Sequence, residues 1–280
     1  MMVSAQIDAH LPLLTRAERR VAAIVADDPE AVAFGTVADV ARRSDTSGAT
    51  VVRLAAKLGF DGFVELQAAV REEMARRLRP ASERIRRPAA GDVLGTALAV
   101  EMANVAATLE GIDRPAFDGA VRLLSRRRVE RVMVLSGDAS SGIASLFADE
   151  LSMLRPGVVF VAGSDVRVAR LLADVGPSDV VVVLDLARYD RAVLGAAGRA
   201  AGRGAAVVAL TDSAVSPLAS AAAISFTASV TGAGPFDSHV GLLALANALL
   251  AGAAARLRRS ATDRLDEVES AWRSAAVLTD

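Results

Sequence analysis

The stretch TVADVARRSDTSGATVVRLAAKLGF, residues 36–60, reads as two short helices around a tight turn. Thr36 caps the first helix, with Asp39 three positions on, and Val37, Val40 and Ala41 share one apolar stripe. Ser44-Asp45-Thr46 supplies the turn formers that break it. Ser47 caps a second helix in which Val51, Leu54 and Leu58 point inward, while Thr50, Arg53 and Lys57, three and four apart, line the opposite side. A recognition helix needs that polar face. Its first turn enters the major groove, where short hydroxyl side chains meet base edges or phosphates and longer cations reach guanine or the backbone. The expected DNA contacts are Thr36, Ser47, Ala49, Thr50, Arg53 and Lys57. Gly48, at the first turn, slightly weakens the helix and removes one possible base contact.

Any amphipathic helix pair shows this spacing, with Arg53 and Lys57 as solvated charges, so the flanks matter. Thr15-Arg16-Ala17-Glu18 is a capping-box pattern that opens a helix with Val21, Ile24 and Val25 inward, ending at Asp27-Asp28-Pro29. Downstream, Phe60 and Phe63 bracket Asp61-Gly62, and another helix runs through Leu66, Val70 and Met74. Four helices in this span make a compact bundle around the pair. Lys57 is also the sole lysine of the chain.

From Leu14 to Gln67 the sequence resembles the N-terminal domain of RpiR/MurR-type bacterial transcriptional regulators. The run Ala49-Thr50-Val51-Val52-Arg53, followed by Lys57-Leu58-Gly59-Phe60 and Gly62-Phe63, carries the likeness. The departures are mild: the family commonly has valine where Thr46 stands, a larger residue at Gly48 and often phenylalanine at Leu54. The resemblance implies a double-stranded DNA operator as partner.

Composition bounds the rest. With 280 residues, 52% apolar content and a net charge of -1, this is a globular chain of about two domains. It has no cysteine and two histidines, His10 and His239, so disulfides, thiolate sites and a histidine-rich metal site are excluded; no metal or cofactor is expected. No secretory signal pattern opens the chain, and the longest apolar run, Val240 to Ala255, contains Asn247 and is too short to span a bilayer. A cytoplasmic protein without a membrane partner is the expectation. Between Arg71 and Arg87 seven arginines face three glutamates, a stretch that fits either a phosphate backbone or a solvated helix face.

Arg79-Pro80 and Arg87-Pro88-Ala89-Ala90-Gly91 punctuate the chain, which divides into a helix-turn-helix domain over residues 1–78, a linker over 79–91 and a second domain over 92–280. The second domain begins with helices over Asp92–Glu110 and Pro115–Arg126. Short β-branched runs then follow at Val132–Leu135, Val158–Val161, Val180–Leu184, Ala206–Leu210 and Ile224–Phe226, separated by lengths that hold a helix. The expected crossovers are Ser140–Leu154, Asp165–Ala173, Asp190–Ala201 and Phe236–Ala255, with a separate tail helix over Ser260–Ala276. The fold class is therefore α/β: an all-α N-terminal bundle joined to a doubly wound parallel sheet.

Ligands of such a sheet bind at the carboxyl ends of its strands. Three loops there carry polar chemistry: Ser136-Gly137-Asp138-Ala139-Ser140-Ser141, Asp185 to Asp190 with Arg188 and Tyr189, and Thr211-Asp212-Ser213. Exposed N–H groups and hydroxyls at a strand-to-helix turn suit an anion, although a plain turn reads the same way. The candidate effector contacts are Ser136, Gly137, Ser140, Ser141, Arg188, Tyr189, Thr211 and Ser213.

Residues 120–255 resemble the sugar isomerase (SIS) domain that such regulators carry, most closely at Thr211-Asp212-Ser213 and Ser216-Pro217-Leu218. The resemblance implies a small-molecule effector, a sugar phosphate or other anionic metabolite; a homo-oligomer, dimer or tetramer, is expected because a single short recognition helix buries too little surface for selective binding. A phosphosugar-binding SIS domain typically has a Ser-x-Ser-Gly-x-Thr run where this chain has Asp185 to Asp190. Arg188 either replaces that cradle or pairs with its acidic neighbours. The alternative function is a SIS-type sugar-phosphate isomerase, for which Glu150 and His239 are the available bases; neither matches an isomerase motif, so no catalytic residue is assigned. A binding or structural module without DNA activity is a third reading, disfavoured by the recognition helix.

Overall fold

The computed structural model describes residues 3–77, 81–86, 91–126, 128–214 and 216–276. They form two compact units: Met1–Ala97 with Ser213–Ser220 and Gly232–Asp237, and Leu98–Asp212 with Ala221–Thr231 and Ser238–Asp280. Much of the expected linker, residues 79–80 and 87–90, lies outside the described residues.

The first unit contains helices α1 (Val3–His10), α2 (Arg16–Asp27), α3 (Pro29–Phe34), α4 (Val37–Arg43), α5 (Gly48–Lys57), α6 (Phe63–Arg77) and the short α7 (Ala81–Arg84). Three of these, α1, α3 and α7, exceed the expected four-helix bundle. Pro29 does not simply end α2; it starts α3, because proline is tolerated at a first helical position and Asp28 caps the Ala31 N–H at 3.1 Å. Val21, Val25, Val40, Val51, Leu54, Leu58 and Leu66 form one buried cluster, which confirms the apolar stripes read from the sequence.

The second unit opens on α8 (Val93–Glu110), whose first turns belong to the other unit, and α9 (Arg114–Ser125). The sheet follows: β1 (Val132–Ser136), α10 (Ser141–Leu154), β2 (Val158–Val161), α11 (Asp165–Leu171), β3 (Val180–Leu184), α12 (Arg191–Gly202), β4 (Ala206–Thr211), α13 (Pro217–Ala221), β5 (Ile224–Thr227) and α14 (Val240–Ala275). All strands are parallel, in the order β2-β1-β3-β4-β5. Alternate residues of the central strands face opposite layers. Val132, Val134, Val180, Val182, Leu184, Val208 and Leu210 pack with α9, α10 and α14; the intervening Met133, Val181, Val183 and Val207 are equally buried on the side of α12.

Two ionic features hold the amino-terminal edge of this sheet. Arg155 is 7% exposed and spends its donors on backbone: it donates to the carbonyls of Leu124 (3.0 Å), Arg126 (3.4 Å), Val129 (2.6 Å) and Pro156 (3.1 Å). Arg131 grips the buried Asp179 with two bonds, at 3.0 and 2.8 Å.

One element differs from expectation. The helices anticipated over 236–255 and 260–276 are a single helix, α14, Val240–Ala275, capped by Ala276, whose φ is 48°. Residues 256–260, Arg-Leu-Arg-Arg-Ser, contain neither glycine nor proline, so nothing breaks the helix between the apolar run and the tail. By length and composition α8 and α14 could each cross a membrane, but Leu242, Leu245, Ala246, Leu249 and Ala253 of α14 are part of the sheet's core.

Candidate DNA-binding face and effector site

The turn between α4 and α5 is braced from three sides. Ser44 Oγ donates to the Val40 carbonyl at 2.8 Å, and the Thr46 N–H to the Ala41 carbonyl at 2.8 Å. Arg20 of α2 donates to the Ser44 and Asp45 carbonyls at 3.0 and 2.6 Å. Asp45 takes a left-handed φ of 49°, a conformation aspartate tolerates better than most residues. Gly48 lets the two helices meet, since a β-carbon there would stand 3.1 Å from Val37 Cγ1. It faces α4, so its smallness serves packing.

On α5 the exposed residues are Ser47 at the cap, then Ala49, Val52, Arg53, Ala56 and Lys57. This corrects the expectation for Thr50, which is buried: its Oγ1 lies 3.0 Å from the cap hydroxyl of Ser47 and accepts from Arg53 Nη2 at 3.0 Å. At the third helical position the side chain folds back over the cap, and its N–H donates to Ser47 Oγ at 3.3 Å. Thr50 positions Arg53. Val52 and Ala56, missed by a reading that looked for polar side chains, complete the outward face, where Val52 is 44% exposed. Thr36 is exposed at the α4 cap, with Oγ1 donating to Asp39 Oδ2 at 2.7 Å. Lys57 Nζ lies 2.7 Å from Glu18 Oε2, so the lysine that looked purely outward also ties α5 to α2.

The arginine-rich stretch past α5 is partly committed as well. Arg71 donates to the Ala33 carbonyl and lies over the Phe34 ring, 5.9 Å from its centre, and Arg84 pairs with Asp237 at 2.6 Å. The side chains of residues 73–80 lie outside the described ones.

In the sheet unit, Ser136 ends β1 and Thr211 ends β4, while Asp185–Asp190 leaves the end of β3, so these loops sit side by side at the carboxyl edge. The strand order reverses between β1 and β3, the topological switch point where doubly wound sheets leave a crevice. Ser140 is the N-cap of α10, but its side chain makes no capping bond; it is 1% exposed and its Oγ has no hydrogen-bond partner. The first N–H groups of α10 are thus left uncapped by that hydroxyl, at the positive end of a 14-residue helix.

Asp185 dominates the β3 loop. Its carboxylate is buried, accepts from the Leu186 N–H at 3.0 Å and the Asp190 N–H at 2.8 Å, and lies so close to Gly137 that a β-carbon there would collide with Oδ1. Burial pushes its carboxyl above the usual range, against the pull of those two N–H groups. Arg188 is exposed, with a left-handed φ of 73°. Tyr189 donates to Asp212 Oδ1 at 2.5 Å. Of the expected effector residues, Ser136, Gly137, Ser140, Ser141, Arg188, Tyr189 and Thr211 belong to this unit; Ser213 belongs to the other.

The helix-turn-helix domain of the rpiR family matches residues 1–77, and the SIS domain matches residues 126–252. The sugar isomerase domain of an RpiR transcription factor from Sphaerobacter thermophilus is 32% identical, with a TM-score of 0.58 over 63% of this chain and 97% of that one. The chain belongs to the rpiR family. The HTH-type transcriptional regulator HexR of Pseudomonas aeruginosa is 28% identical over 225 residues, 78% of this chain and 76% of HexR. The Vibrio vulnificus NanR protein, complexed with ManNAc-6P, shares the fold along 99% of this chain and 100% of its own, at 21% identity and a TM-score of 0.61.

RpiR membership makes this chain a transcriptional regulator with a SIS domain, which agrees with a non-catalytic role. Glu150 lies in the third turn of α10, about 13 Å along the helix from its start at the strand ends. His239 is the N-cap residue of α14, and its side chain makes no capping bond.

Proposed function

We propose that this RpiR-type regulator acts in the cytoplasm on a pseudo-palindromic operator, as a homodimer or dimer of dimers, and that a small sugar-related metabolite bound where β1, β3 and β4 end sets its DNA affinity. Residues 1–78 carry DNA binding, with Ser47, Ala49, Val52, Arg53 and Lys57 towards the groove, and residues 92–280 carry sensing and pairing. The observation that supports sensing most directly is Ser140: a hydroxyl 1% exposed, without a partner, at the head of a helix and at the switch point of the sheet. Buried polar groups are almost always hydrogen-bonded, so an orphan in such a crevice favours a ligand or water that supplies the bond. ManNAc-6P in the NanR complex supports the sugar class.

Pairing is supported by α8, which wears its chemistry inside out. Its buried face is polar: Asn104 donates to the Thr231 carbonyl at 2.8 Å and accepts from Ser229 Oγ at 2.9 Å, and Thr108 accepts from the Ser229 N–H at 2.9 Å. Leu98 and Met102, one turn apart, are 64% and 63% exposed. A two-fold contact between copies covers such a face and supplies the second recognition helix that selective binding requires.

The test is a thermal-shift screen of the full chain across sugar phosphates, free sugars, sugar acids and amino acids, followed by gel shifts with fragments from around its gene. A stabilising compound should change the affinity for one specific fragment, and Arg188→Gly should abolish that response while keeping the left-handed backbone without strain. A compound that stabilises the chain but leaves fragment affinity unchanged, or the absence of any specifically retained fragment, overturns the reading.

A further inference from the structure

The carboxyl edge that receives the effector already holds an anion of the protein's own. Asp185 places a buried carboxylate directly after β3, with Oδ1 bonded to the Leu186 N–H at 3.0 Å and Oδ2 to the Asp190 N–H at 2.8 Å. Backbone N–H groups grouped at a strand end are what a phosphate uses for binding, and here two of them are committed. The same carboxylate packs against Gly137, in the turn that leads to α10. An anion approaching the head of α10 therefore meets a like charge in contact with its own binding turn. That repulsion opposes binding of the anion.

What remains at this edge suits hydroxyls. The lone pairs of Asp185 not facing Leu186 and Asp190 accept O–H groups, as does the Asp212 carboxylate next to Tyr189. Ser140 Oγ needs a partner of either kind, and Ser136 adds a hydroxyl at the end of β1. Donors to a carboxylate and partners for hydroxyls are what a sugar ring or a linear polyol offers.

We propose that Asp185 occupies with its own carboxylate the backbone donors a phosphate would need, so that this regulator senses a hydroxyl-rich ligand without a phosphate, a free sugar or polyol. This rests on the effector site lying at the β1/β3 switch point. It replaces the expectation of an anionic effector for this chain, and the ManNAc-6P of NanR becomes a ligand class that this pocket excludes. The carboxylate serves the loop and the specificity at once.

The experiment uses inorganic phosphate as probe, on the full chain, read by thermal shift and by calorimetric titration, with wild type, D185S and D185N side by side. D185S frees the Leu186 and Asp190 N–H groups and removes the charge; D185N removes the charge and keeps the shape, which guards against a loop that fails to fold. Wild type should show no phosphate-dependent stabilisation at millimolar concentration, while D185S gains at least about tenfold in phosphate affinity and D185N a smaller gain in the same direction. Wild type stabilised by phosphate as much as D185S overturns the proposal. Folded variants that respond no better than wild type overturn it too. Retention of the operator by all three proteins is measured in parallel, so a failed proposal about ligand class is distinguished from a failed assignment as a regulator.

Discussion

Lys57 Nζ and Glu18 Oε2 lie 2.7 Å apart and tie the last turn of the recognition helix to the first turn of α2. Glu18 is 3% exposed, and its Oε2 also accepts from the Thr15 N–H and Oγ1 at 2.8 and 2.9 Å. One carboxylate oxygen thus closes a capping box and anchors α5. The Lys57 hydrogen bond, followed by those of Thr15, outweighs burial and lowers the Glu18 carboxyl from 4.5 to about 2.

A depressed carboxyl contributes stability that is fully present above its unfolded value of 4.5 and lost as pH falls towards about 2. Lys57→Met should move Glu18 back towards 4.5 and shift the acid-unfolding midpoint of the N-terminal bundle to higher pH. The cost at neutral pH is on the order of 1–3 kcal/mol, since a buried carboxylate loses its cation. Acid titration followed by circular dichroism checks this, and an unchanged midpoint refutes it.

Arg53→Ala should weaken operator binding by about 1–3 kcal/mol and relax the base preference at one position in each half-site, because Arg53 is held on the outward face of α5 by Thr50 Oγ1 at 3.0 Å. Thr50→Val should lower operator affinity less, through loss of that positioning. Lys57→Ala, by contrast, is expected to weaken all sequences alike and to reduce the salt slope by about one. Quantitative gel shifts over a salt series separate the three; a folded Arg53→Ala variant with full operator affinity removes the assignment.

Leu98→Glu with Met102→Glu should abolish the proposed pairing of copies, since two carboxylates on the outer face of α8 cannot be buried against a second copy without a large desolvation cost. Light scattering reads the mass directly. An unchanged oligomer places the interface elsewhere.

Arg155→Ala should be among the most destabilising changes in the sheet domain, at about 3 kcal/mol. It strands the buried carbonyls of Leu124 and Val129, whereas that of Arg126 keeps the Val129 N–H at 3.1 Å. Burial also depresses the guanidinium below its usual value, which shows how few countercharges surround it. Arg155→Met keeps the apolar stem and loses the same donors, so urea unfolding should rank both variants far below wild type. A loss of under about 1 kcal/mol means that water replaces the guanidinium.

The sequence by itself determined the two architectures and the loops that matter. Period-3.6 stripes at Val40, Val51, Leu54 and Leu58, and β-branched runs at Val132, Val180 and Val207, are local patterns whose burial follows from side-chain chemistry, and all are buried in the structure. It also identified the capping boxes of Thr15 and Thr36, because those bonds close within three residues. What depends on residues far apart in the chain was not legible. The burial of Thr50 and the 39-residue reach from Lys57 to Glu18 follow from how α5 is seated in its bundle. The unbroken α14 is a different lesson, since local polarity suggested a gap where helix propensity tolerated none. Only the parallel order β2-β1-β3-β4-β5 brings Gly137 against Asp185, 48 residues on, because adjacency in a parallel sheet is set by which crossovers pack together and leaves no periodicity for a sequence to show.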